Sequence, residues 1–109
     1  MSINFVKHVN SYEDNRIEFL FVNFDYCDGN DLIAKILHEK LNIIIGGKID
    51  GIFYTIIPLY DGDNIFKLVW HEDVGNYIYS ESRDNESIKR MHKLVKIAIY
   101  EINKKQFNK

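Results

Sequence analysis

Ile52-Phe-Tyr-Thr-Ile-Ile-Pro-Leu-Tyr60, Asp61-Gly-Asp63, Asn64-Ile-Phe-Lys-Leu-Val-Trp70, His71-Glu-Asp-Val-Gly75 and Asn76-Tyr-Ile-Tyr-Ser80 form one continuous stretch, and it decides the fold. Three runs rich in aromatic and β-branched residues are separated by two acidic turn clusters, the pattern of an antiparallel meander. Ile52, Tyr54 and Ile56 alternate with Phe53, Thr55 and Ile57, so the first run is apolar on both faces. Pro58 has no amide to donate, which places it at an edge or a bulge. In the second run Phe66, Leu68 and Trp70 share one face; in the third, Tyr77 and Tyr79 lie opposite Ile78.

Upstream of the meander, Ile43-Ile44-Ile45 reads as a strand or its start, and Gly46 to Gly51 as a flexible loop or tight hairpin. A helix precedes it, from a cap at Asn30 or Asp31 to about Leu41, with Leu32, Ile33, Ile36, Leu37 and Leu41 as its apolar stripe and Asn42 as its stop. Arg16 to Asp25 is a strand apolar on both faces beyond Glu18, and Ile3 to Val9 a weaker, edge-type strand. Downstream, Asp84 caps a final helix of about five turns. Its apolar positions Ile88, Met91, Val95, Ala98 and Ile102 are spaced alternately by three and four residues, and Gln106 to Lys109 is expected to fray. The order β-β-α-β-β-β-β-α predicts a single α+β domain over residues 1–109. It would hold an antiparallel sheet of about five to six strands with two helices on one face.

The chain has 109 residues, 46% apolar and 28% charged, enough for one core and near the average of globular domains. Cys27 is the only cysteine, so no internal disulfide can form. The beginning, Met1 to His8, lacks a signal-peptide apolar run, and no stretch is long enough to span a membrane, so a cytoplasmic protein without membrane attachment is expected. The net charge of -2 conceals an asymmetry: fifteen acids face seven Lys and Arg up to Glu86, and seven Lys and Arg face one acid from Ser87 onward. Two partner surfaces, or an acidic body neutralised by its own basic helix, both satisfy that pattern.

Candidate chemistry is sparse. Asp28-Gly29-Asn30-Asp31 and Asp61-Gly62-Asp63-Asn64 carry oxygen ligands but no twelve-residue calcium loop with a distal glutamate, and turn chemistry accounts for both. His71-Glu72 is not followed by a second histidine at zinc-protease spacing, and His8, His38, His71 and His92 lie far apart. Acidic neighbours Asp25 and Asp28 make Cys27 a poor nucleophile. Gly46-Gly47 has no phosphate-loop spacing, and three arginines in an acidic chain are a poor footprint for nucleic acid. No catalytic, metal or cofactor-binding residue is therefore assigned, and neither an enzyme nor a nucleic-acid binder is expected.

What remains is a surface. Carboxylates at Asp25, Asp28, Asp31, Asp50, Asp61, Asp63, Glu72 and Asp73 are interleaved with Tyr26, Tyr60, Trp70, Tyr77 and Tyr79. Aromatic anchors among carboxylates suit a basic protein partner, and Asp61, Asp63, Glu72, Asp73, Tyr60, Trp70, Tyr77 and Tyr79 are the expected binding residues. In size, acidic loops, α+β layout and a composition heavy in Ile, Asn and Lys, the whole chain resembles small bacterial immunity proteins, such as those of contact-dependent growth inhibition. No motif carries the resemblance, so it assigns no residue. It implies a monomer or homodimer without cofactor that binds and neutralises a cognate toxin domain, often a nuclease. The alternative is a secretion chaperone or adaptor that takes an extended segment of its partner along a sheet edge.

Overall fold

A computed structural model describes residues 2–107, with side chains through Lys105. Its elements are β1 (Asn4–Asn10), a 3-10 turn (Ser11–Glu13), β2 (Arg16–Val22), α1 (Gly29–Leu41), β3 (Ile44–Ile45), β4 (Ile49–Asp50), β5 (Tyr54–Asp61), β6 (Asn64–His71), β7 (Gly75–Ser80) and α2 (Asn85–Phe107). All strands join one antiparallel sheet in the order β1-β2-β7-β6-β5-β3, with β4 also paired to β5. This is the expected α+β architecture, with the meander β5-β6-β7 at its centre. No helix among the described residues is long and apolar enough to cross a membrane.

Both helices lie on the face that carries Phe19, Phe21, Ile57, Leu59, Phe66, Leu68 and Ile78. Ile33, Ile36 and Leu37 of α1, with Met91, Leu94, Val95, Ala98 and Ile102 of α2, close that core. The helix stripes read from three- and four-residue spacing are thus the buried faces. Asn42, at φ 57, ends α1 in the left-handed conformation, and its amide returns to the His38 carbonyl. Asp84 accepts from the Ser87 amide at 2.8 Å, the cap expected for α2. The backbone of α2 continues through Gln106 and Phe107, where fraying is expected from the sequence; residues 108 and 109 lie outside the described part.

Three local features differ from the sequence reading. First, β2 stops at Val22 rather than Asp25, because Asn23 takes φ 65 and turns the chain so that Phe24 re-enters the core. Second, Asn30 does not cap α1. It is fully buried, and its amide donates to Thr55 Oγ1 at 2.9 Å, tying the first turn of α1 to β5. Third, residues 46–51, expected to be a flexible loop or tight hairpin, hold a break at 46–48 followed by β4, the second half of an interrupted edge strand. Ile45 pairs with Leu59 and Ile49 with Ile56, so four steps on the edge match three on β5. That extra residue is a β-bulge, and it moves the side-chain alternation from one face to the other. Pro58 lies opposite it, its carbonyl accepting from the Gly46 amide at 2.8 Å. The missing proline amide thus falls where the ladder is already broken, as Pro58 predicts.

Phe66 is fully buried at the centre of the helix-covered face, whereas Val74 sits exposed in the β6-β7 turn. Phe66→Ala should cost about 3–5 kcal/mol in urea unfolding through lost transfer energy and a residual cavity. Val74→Ala should stay within about 0.5 kcal/mol of the parent.

Candidate partner-binding surface

Among the described residues the opposite face of the sheet carries no helix, and the strand register aligns one apolar row across it. Val6 pairs with Leu20, Leu20 with Tyr77, Tyr77 with Val69, Val69 with Ile56, and Ile56 with Ile49. At the centre of this row Val69 is only 3% exposed, so neighbouring side chains pack over it without help from a helix. The adjoining row holds His8, Glu18, Tyr79, Lys67 and Pro58. Glu18 is 4% exposed although it points to the open side. Arg16 Nη2 at 2.7 Å and Asn10 Nδ2 at 3.1 Å donate to its carboxylate, and the Arg16 guanidinium lies 3.6 Å from the Tyr79 ring centre. Burial, and secondarily Glu18, push the Tyr77 phenol above its ordinary pKa.

The residues expected to bind a partner are not brought together. Asp61 faces the helices and pairs with Arg90 Nε of α2 at 2.6 Å, while Asp63 is exposed in the same turn. Glu72 and Asp73 occupy the turn at the other end of β6, whose eight residues separate the two turns by roughly 23 Å at strand rise. Tyr60, Tyr77 and Tyr79 do share the open face. Trp70 faces the helix side instead, and its indole donates to the Asp25 carbonyl at 3.1 Å.

A different set converges at the Glu72-Asp73 end. The Glu72 amide donates to the Phe53 carbonyl at 2.9 Å, joining the β4-β5 loop to the β6-β7 turn. Buried Asn76 donates to the carbonyls of Phe24 (2.9 Å) and Tyr26 (3.0 Å), fixing the β2-α1 loop against the same turn. Gly29 must lack a side chain here, because a Cβ would stand 2.5 Å from Asn76 Nδ2 and 2.8 Å from the Phe24 ring. Lys48 bridges from the edge strand to Asp31 at 2.8 Å; that hydrogen bond, partly opposed by desolvation and helped by the charges of Asp31 and Asp50, raises the lysine pKa.

Of the six carboxylates at this end, Asp25, Asp28, Asp31, Asp50, Glu72 and Asp73, only Asp31 is ion-paired among the described residues, to Lys48. Between them stand apolar side chains with no cover: Ile52 is 87% exposed, Phe53 57%, and Tyr26 and Val74 are also open to solvent. The carboxylates belong to those singled out in the sequence, but Ile52, Phe53 and Val74 do not. Strand-like alternation conceals Ile52 and Phe53, although Gly51 just before them is a turn signal.

Three of the four histidines make local contacts within the fold. His92 stacks on Phe19 at 5.3 Å, His38 Nδ1 is 2.9 Å from the Ile43 carbonyl, and His71 Nδ1 accepts from the Asp73 amide. No cluster of three metal-ligating side chains occurs among the described residues. Comparison with protein-family models, curated proteins and solved structures found no match.

Asn76→Ala should cost about 1–3 kcal/mol for each carbonyl left without a partner, read by urea unfolding. Asn76→Asp, which keeps the shape but loses the donors, should not rescue it. The Lys48-Asp31 pair has the opposite pH behaviour from a carboxylate whose pKa is lowered. Because folding raises the Lys48 pKa above 10.5, its contribution is complete below that pH and is lost as pH rises through the folded value. The stability difference between the parent and Lys48→Met should accordingly be constant at neutral pH and vanish in strong alkali.

Proposed function

We propose that the protein is a stoichiometric inhibitor of the immunity type, which binds a cognate toxin domain of basic surface and blocks it without chemistry of its own. The observation that carries this reading is the convergence of three loops that set exposed Ile52, Phe53 and Tyr26 among six carboxylates. Apolar side chains on loop tips are anchors that bury on contact, and a surrounding field of one sign steers an oppositely charged partner to them. A nuclease fits such a field because its own surface must be positive to hold phosphates. The adjoining open sheet face, with Tyr54, Tyr60 and Tyr79, extends the surface available to a folded partner.

Co-expression with the toxic C-terminal domain encoded beside the gene should restore growth, and the purified proteins should form a one-to-one complex. In the complex, Asp50→Lys, Glu72→Lys and Asp73→Lys together should slow association about tenfold or more at low ionic strength and flatten its salt dependence. Phe53→Ala should speed dissociation, while Asp63→Lys at the far end should leave both rates near the parent's. Growth inhibition that persists with the protein present would refute the immunity reading; unchanged association of the triple variant at low salt would refute this surface.

A further inference from the structure

The sheet has two edges, and only one is interrupted. On the β3-β4 side the strands are two residues each, separated by the bulge and set beside Pro58. On the other side β1 pairs with β2 in unbroken register over seven residues, with neither bulge nor proline. The direction of its free backbone groups follows from the ladder. The Glu81 amide donates to the Ile65 carbonyl at 2.9 Å, so odd-numbered residues of β6 and β7 bond one another and even-numbered residues of β7 face β2. Carried across β2, this aims the even-numbered residues of β1 inward and sends the N–H and C=O groups of Phe5, Lys7 and Val9 outward. Consistently, the Phe5 amide is taken up at 2.8 Å by the side chain of its own neighbour, Asn4.

The two flanks of this edge differ in chemistry. The stripe of α2 that faces β1 is Lys89, His92, Lys96, Ile99 and Asn103, spaced alternately by three and four residues. It is anchored by His92, 5.2 Å from the Phe5 ring, and by Asn103, whose side chain both accepts from the Ile3 amide (2.8 Å) and donates to the Ile3 carbonyl (3.1 Å). Lys89 and Lys96 therefore stand along the edge on the helix side, where Lys7 also projects, in register with Phe19. Lys7 and Lys96 have no ion pair among the described residues, and Lys89 has only a 3.9 Å contact to Glu86. On the open side the same edge presents exposed Val6 and His8.

From this we infer that the β1 edge accepts an extended segment of another polypeptide by strand addition, one whose carboxylates alternate with apolar residues. Its backbone pairs with Phe5, Lys7 and Val9. Its carboxylates lie toward Lys7, Lys89 and Lys96, and its apolar side chains prolong the row that begins at Val6. A second copy of β1 is a poorer occupant, because antiparallel pairing centred on the strand sets Lys7 against Lys7. This surface has the opposite sign from the acidic loops and is independent of the toxin-binding reading.

The test uses an acetylated, amidated heptapeptide of alternating glutamate and valine, and a counterpart with lysine in place of glutamate. In amide NMR the acidic peptide should shift the signals of Phe5, Lys7 and Val9 and slow their hydrogen exchange. The basic peptide should bind at least about tenfold more weakly. Lys7→Pro removes one outward amide but no β1-β2 bond, and should abolish binding with the fold retained by circular dichroism. The double variant Lys7→Glu, Lys96→Glu leaves the backbone intact and should reverse the preference between the peptides, which covers the case that the proline variant misfolds. Silence of those three amides with the acidic peptide, equal binding of both peptides, or concentration-dependent protection of the same amides without peptide would each overturn the inference.

Discussion

Two helices can shield only one side of a sheet this wide, and the rest of the molecule follows from that inequality. The apolar groups of α1 and α2 are spent on Phe19, Phe66, Leu68, Ile78 and their neighbours, where the fully buried side chains concentrate. The other side must hold itself together. It does so with Val69 packed under its own strand neighbours, and with Glu18 neutralised by Arg16, which in turn lies on Tyr79. A charged side chain so little exposed is tolerated only when its partner and hydrogen bonds come with it, as Asn10 and Arg16 do here. The open face is thus a built surface with its own small core, not a helix site left vacant.

The bulge between Ile45 and Ile49 has a second consequence. By moving the alternation to the opposite face, it sets Ile49 beside Ile56 on the open side and Asp50 beside Thr55 on the other. It also brings Lys48 within reach of Asp31, so the edge strand and α1 are tied at one corner, while the Glu72 amide holds the β4-β5 loop through the Phe53 carbonyl. Asn76 ties the β2-α1 loop at the neighbouring corner. Loops held by hydrogen bonds to the sheet have less freedom to lose on binding, which lowers the entropic cost of burying Ile52 and Phe53 against a partner.

Much of this was legible in the sequence, because periodicity reports which face is buried and the turn residues report where strands end. The meander, both helix stripes, the stop at Asn42 and the cap at Asp84 all follow from spacing and local chemistry. The slip at Gly46 to Lys48 does not, since alternation on each side of a one-residue insertion looks regular. Nor do the roles of Asn30 and Asn76: as polar residues next to turns they read as caps or turn formers, and only the approach of distant backbone shows them to be buried donors. The separation of the acidic set into two ends is not visible in its spacing along the chain, for a reason present in the topology. Successive turns of a meander lie at opposite ends of the sheet, so Asp61 and Asp63 were never placed to act with Glu72 and Asp73.

The charge asymmetry along the chain becomes spatial in a way that its simpler explanation does not cover. If α2 served only to neutralise an acidic body, its cations would pair with the body's carboxylates. Arg90 does so with Asp61, but Lys96 and Lys7, along the β1 edge, have no ion pair among the described residues, and neither do Asp25, Asp28, Asp50, Glu72 and Asp73 at the loop end, where Lys48 is paired with Asp31. Two separated fields of opposite sign on one small domain repel different partners as well as attract them. A ligand drawn to one is rejected by the other, so each surface gains specificity from its counterpart.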